Sequence, residues 1–168
     1  MTDPGLEIDI NVEAAGWADL VPQLEQIISA AAAAVVAACL HDGRDTELSV
    51  LMTSDERMTG LNREWRGKDG ATNVLSFPGH LHGPGPLLLG DIALALETVR
   101  VEAVKSGIPV ADHLSHLVVH GVLHLLGYDH KTEFEAQRME TLETDILRSL
   151  GISDPYGANR EELSEVGT

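Results

Sequence analysis

Apolar residues along the chain switch between two periods, and the switches predict its elements. Leu6 to Val12 reads as an edge strand. Asp19 and Pro22 fit the first turn of a helix that continues through an alanine block to about Leu40. From Glu47 to Thr53, Leu48, Val50 and Met52 alternate with Glu47, Ser49 and Leu51, the mostly period-two pattern of a strand. Thr53 and Glu56 make a capping box, and Met58, Leu61 and Trp65 then recur at helical spacing until Gly67 and Gly70 end the helix. Thr72 to Phe77, ended by Pro78, and Leu87 to Leu94 are two further strands. The loop between them contains Gly83-Pro84-Gly85-Pro86, and the pair suits a hairpin. Glu97 to Lys105 is helical, Ser106-Gly107 breaks it, and Pro109 opens a helix that carries apolar residues to Leu126 and ends at Gly127. Thr132 and Glu135 form a second capping box, and Phe134, Met139, Leu142 and Ile146 give the last helix an inward stripe.

Strands and helices are mixed without regular βαβ alternation. This predicts an α+β fold: a small mixed β-sheet covered mainly on one face by helices, as a single domain over residues 1–150. Beyond Gly151 the chain turns polar, with Glu161, Glu162 and Glu165, so residues 151–168 are expected to form an acidic, disordered tail.

Composition narrows the function classes. A chain of 168 residues with 43% hydrophobic content suits one packed core. The single cysteine, Cys39, excludes an intramolecular disulfide and every thiolate-rich zinc module. The N-terminus carries acid where a secretory signal carries lysine or arginine, which favours a cytoplasmic location. The longest apolar run, Ile27 to Leu40, covers 14 positions and is mostly alanine, short of the roughly 20 residues that cross a bilayer. With 27 acids against 11 bases the net charge is −16, which repels a polyanion at long range. Arg57, Arg63, Arg66 and Lys68 nevertheless fall in one short stretch, enough for a local basic patch.

The candidate chemistry lies in His120-Gly121-Val122-Leu123-His124-Leu125-Leu126-Gly127-Tyr128-Asp129-His130. Two histidines at i and i+4 on a helix differ by about 40° in direction and about 6 Å in rise, so both rings reach one metal ion. Gly127 lets the chain fold back after the helix and returns His130 to the same point. A lone HxxxH pair is more often two packed or solvated histidines, but a third histidine after a glycine turn favours a metal site. Three neutral imidazoles leave the charge of a zinc ion uncompensated and a fourth position open to water, which then ionises near neutral pH. His116 lies on the same stripe, but eight residues of rise, about 12 Å, separate it from His124. It is therefore read as a residue packed behind the ligands. His80 and His82 could form a second pair, although a proline-glycine loop is usually just solvated. A zinc peptidase of the HExxH kind has glutamate where this chain has Gly121, so its general base is missing. Asp129 is read as a turn residue rather than a ligand.

This eleven-residue string resembles the signature of the YbeY family of bacterial endoribonucleases. Asn62-Arg63-Glu64-Trp65-Arg66, Thr72-Asn73-Val74-Leu75-Ser76-Phe77-Pro78 and Gly90-Asp91-Ile92 resemble that family in the same order, so the likeness runs from about Glu47 to Leu150. Asn73 stands where many members have aspartate. The resemblance implies a zinc-dependent, single-strand-directed RNase acting in ribosomal RNA maturation and ribosome quality control, with the 3′ end of the small-subunit RNA as substrate. It implies one Zn2+ held by His120, His124 and His130 at the C-terminal end of a helix, and a functional arginine at Arg66. It also implies contacts with small-subunit ribosomal proteins and an Era-like GTPase. A guanidinium binds two phosphate oxygens at once, so Arg66 suits the charge that builds on phosphorus during cleavage; taken by itself it is a solvated helix-end arginine. Two other readings compete: a zinc-dependent hydrolase of peptides or amides, and a non-catalytic ribosome-assembly factor in which zinc merely holds the C-terminal helix.

Overall fold

The computed structural model describes residues 5–41 and 43–153. Residues 154–168 of the expected tail lie outside the described residues. Three strands, β1 (Leu6–Val12), β2 (Thr46–Thr53) and β4 (Leu87–Ala95), pair in parallel, and β3 (Val74–His80) lies antiparallel to β4. The order β1-β2-β4-β3 leaves β1 and β3 at the edges of one mixed sheet. Six helices accompany it among the described residues: α1 (Gly16–Leu20), α2 (Leu24–Cys39), α3 (Asp55–Arg66), α4 (Leu96–Ser106), α5 (Val110–Leu125) and α6 (Glu133–Ser149).

Period-two alternation divides each strand between two faces. Leu48, Val50 and Met52 of β2 and Ile92 and Leu94 of β4 form the main core with Ile28, Ala32 and Val35 of α2 and Leu114, Val118 and Val122 of α5. On the opposite face Leu75, Ala93 and Ala95 meet only a small cluster centred on Met58 of α3. The predicted α+β layer, with one face covered by most of the helices, is therefore the architecture. The hairpin prediction holds as the β3–β4 pair.

Four local expectations are corrected. The helix expected from Asp19 to Leu40 is two, α1 and α2. Val21 precedes Pro22, whose ring pushes it out of the helical region (φ −132, ψ 88), and the chain breaks there. Burial of Trp17, whose indole N–H donates to the Thr53 carbonyl at 2.9 Å, fixes α1 against the sheet end. The cap of α3 is Ser54, which accepts from the Arg57 amide. Thr53 instead gives its hydroxyl proton to Glu13. Strand β3 continues through Pro78 to His80, because an edge strand tolerates a residue with no N–H to donate. Phe134, expected on the inward stripe of α6, is 74% exposed, whereas Met139 and Ile146 are buried.

Candidate metal centre

Helix α5 ends on a glycine motif that brings the three histidines together. Past Leu125 the Gly127 N–H donates to the His124 carbonyl at 3.0 Å and the Tyr128 N–H to the Leu123 carbonyl at 3.1 Å. This is a Schellman closure, with Gly127 at φ 98, a region that side chains rarely adopt. Tyr128 packs on the core, and the reversed chain carries His130 back over the helix end. The ring centroid of His130 lies 5.3 Å from that of His124 and 6.0 Å from that of His120. His120 and His124 present their Nε2 atoms to each other at 3.0 Å. All three residues offer a nitrogen within 4.8 Å of the others'.

Those dimensions fit a small divalent ion. Nitrogens at zinc-ligand distance in a tetrahedron stand about 3.3 Å apart, close to the separation of the two Nε2 atoms. Burial, and then the neighbouring His120 and His130, hold His124 below the usual histidine range, which keeps its lone pair available.

Helix α6 contributes a residue that sequence reasoning missed. Glu143 is 1% exposed. Its Oε1 lies 2.6 Å from Nδ1 of His120 and its Oε2 2.8 Å from Nε2 of His116. Part of the signal was present: Met139, Glu143, Thr144, Ile146 and Leu147 are the buried positions of α6, so an acid falls on its apolar stripe at helical spacing. His116 thus stands behind the histidine trio, joined to His120 through Glu143. Asp129 behaves as a turn residue, its carboxylate accepting from the His130 amide at 2.8 Å. That bond is the main reason its pKa lies below the ordinary aspartate value. His80 and His82 join no cluster with metal-binding spacing among the described residues.

Gly121 is where α5 presses on the sheet. The Ser76 hydroxyl donates to its carbonyl at 3.1 Å, and a Cβ there would lie 3.2 Å from Ile92 and 3.3 Å from Val74. The position that carries a glutamate in HExxH peptidases therefore faces strands β3 and β4 and has no space for one.

Arg66 is the last residue of α3, exposed on the sheet face opposite α5. Two bases of its stretch are paired, Arg57 with Glu13 at 3.9 Å and Arg63 with Asp69 at 3.4 Å. The side chains of Arg66 and Lys68 make no hydrogen bond or ion pair among the described residues, so the basic patch reduces to these two. The groove that α3 lines through Leu61 and Trp65 includes none of the three histidines.

The family model described as Endoribonuclease YbeY matches residues 13–151, most of the chain. The chain belongs to the YbeY family. Among YbeY relatives, Endoribonuclease YbeY of Paramagnetospirillum magneticum is 48% identical over 90% of this chain and 96% of its own. That of Azorhizobium caulinodans is 47% identical over 93% and 99%. The solution structure of TM1509 from Thermotoga maritima superposes with a TM-score of 0.52 at 26% identity, covering 94% of this chain and 95% of that one. The family match starts well before the stretch that carried the sequence resemblance and takes in α2. No helix of the described residues is long and apolar enough to cross a membrane.

Proposed function

We propose that this chain is a zinc-dependent endoribonuclease of the cytoplasm that cuts single-stranded ribosomal RNA during maturation of the small-subunit 3′ end and ribosome quality control. The observation that carries the proposal is the convergence of His120, His124 and His130 on one point in a chain of the YbeY family. A zinc ion held by these three supplies a Lewis acid for a phosphate oxygen and lowers the pKa of a nucleophile's proton. The protein's own residues do the rest. The neutral imidazoles hold the ion without cancelling its charge. Arg66, on the other sheet face from the histidines, offers paired N–H donors to a phosphate of the same strand away from the scissile one, so its role is to hold the RNA. Lys68 adds a second cation for a flanking phosphate. Absence of a side chain at Gly121 counts against the peptide or amide hydrolase, which lacks its general base. Small-subunit ribosomal proteins and an Era-like GTPase are the proposed protein partners.

The test is cleavage of a defined single-stranded rRNA 3′ segment by wild type, His124→Ala and Arg66→Ala, each purified identically with its metal content measured. His124→Ala is expected to lose both zinc and cleavage. Arg66→Ala should keep zinc and fold while binding the RNA more weakly, so that more RNA is needed for half-maximal cleavage. Cleavage by His124→Ala at the wild-type rate sinks the proposal. A folded His124→Ala that still binds ribosomes but no longer cuts eliminates the purely structural role for zinc.

A further inference from the structure

Glu143 is the only acid among the buried residues described, and a buried carboxylate without hydrogen-bond donors is costly. Its two oxygens engage two imidazoles of α5, one helical turn apart. Nε2 of His116 lies at 2.8 Å and Nδ1 of His120 at 2.6 Å. The His116 and His120 rings meet edge to face with centroids 6.3 Å apart.

His116, His120 and Glu143 also present ligand atoms within 4.8 Å of one another, so two roles compete. Either the trio holds an ion of its own, or Glu143 serves the ion bound by His120. The two nitrogens of one imidazole point to different sides of the ring and cannot both face the same ion. The Nε2 of His120 is already turned toward His124, 3.0 Å away. Its Nδ1 lies 2.6 Å from a carboxylate oxygen of Glu143, the distance of a short hydrogen bond. At 2.6 Å the pair stands closer than two ligands of a tetrahedral ion, which lie about 3.3 Å apart, so a hydrogen bond rather than a shared ion joins them.

Resting on the metal-centre reading above, we infer that Glu143 is the positioning residue of that centre. Its carboxylate fixes His120 as the Nδ1–H tautomer with the Nε2 lone pair aimed at the ion, and His116 anchors the carboxylate through the second oxygen. The ion is then gripped by α5 and the turn after it but aligned from α6, so the C-terminal helix takes part in binding without supplying a ligand. Carboxylates hydrogen-bonded to a metal-ligating histidine raise its basicity and hold its ring, and losing one typically costs 10- to 100-fold in metal affinity.

The experiment measures zinc stoichiometry and affinity by chelator competition for wild type, Glu143→Gln, Glu143→Met and His116→Ala. It adds the thermal midpoint of each metal-free protein and the 15N imidazole signals of metal-free His120. One zinc per wild-type chain is expected. Affinity should fall about 10- to 100-fold in Glu143→Gln and Glu143→Met, whose metal-free forms stay folded. His116→Ala should weaken binding less, and add nothing further when combined with Glu143→Gln. Metal-free His120 should be the Nδ1–H tautomer in wild type and a mixture in Glu143→Met. Wild-type affinity in both Glu143 variants overturns the inference. So does a second zinc per chain that Glu143→Gln removes, which makes Glu143 a ligand. Should wild type bind no zinc, the proposed function falls, while the tautomer of His120 still decides the role of Glu143. Should Glu143→Met fail to fold, the affinity of Glu143→Gln decides.

Discussion

Gly121 shows how one missing side chain shapes what the site can do. Restoring the peptidase residue by Gly121→Glu forces a charged chain between α5 and the pair Val74 and Ile92. The expected cost is about 2–4 kcal/mol, from overpacking and desolvation, with no gain of peptidase activity. Urea denaturation and an amide-hydrolysis assay check both halves. Asn73 offers a second case. Its amide donates to both oxygens of Glu102 at 3.0 and 3.3 Å, and Glu102 in turn meets His113 at 2.9 Å. Asn73→Asp sets two carboxylates side by side at this partly exposed contact, which costs up to about 1 kcal/mol at neutral pH. Repulsion raises the folded-state pKa of one of the pair, so the loss is present above that value and closes as the pH falls into the carboxylate range. Thermal midpoints across pH 4 to 7 test the sign. At this scale the sequence was partly readable. Three histidines declared themselves by spacing, whereas Glu143 sat on the apolar stripe of α6 among many acids, and the packing of α6 on α5 shows which of them turns inward. Arg66 rests on resemblance, since no periodicity marks a side chain that projects into solvent.

At the scale of elements, the α5 terminus joins folding to the assembly of the histidine trio. Gly127→Ala places a Cβ in a backbone region with φ 98 and should cost about 1–2 kcal/mol. It should also weaken zinc binding, because the turn that returns His130 is the part that shifts. Gly107→Ala provides the control: Gly107 ends α4 at φ 66, away from the ligands. It should lose similar stability yet keep wild-type zinc affinity by chelator competition. Element types were legible in the sequence because each long segment kept one period. Boundaries were less so. The break at Val21 depends on the steric effect of Pro22 on its predecessor, and the cap at Ser54 on the Thr53 hydroxyl finding Glu13 across 40 residues of chain. Phe134 satisfied the helical period, yet no element of the described fold covers that end of α6.

For the whole molecule, the main core lies between the sheet and α2 and α5, and the histidines sit at its margin. Metal removal should therefore leave the chain folded. An ion at 100 times its dissociation constant adds about 2.7 kcal/mol, so a chelator should lower the thermal midpoint by roughly 5–10 °C with far-UV circular dichroism retained in the cold. The net charge of −16 leaves few cations for RNA, and Arg66 and Lys68 are the unpaired ones of their stretch. Removing both should flatten the dependence of log affinity on log salt for single strands by about 1.4. The sheet itself stands between these cations and the histidines: α3 rests on one side and α5 on the other. A polynucleotide touching both must double back around the rim formed by β3 and the turn leading into it. A limp strand makes that bend at little cost, whereas a base-paired rod, stiff over hundreds of ångströms, does not. Under the proposed function, preference for single strands follows from rigidity and owes nothing to base identity, and an unpaired overhang of a few nucleotides should restore cutting to an otherwise resistant hairpin.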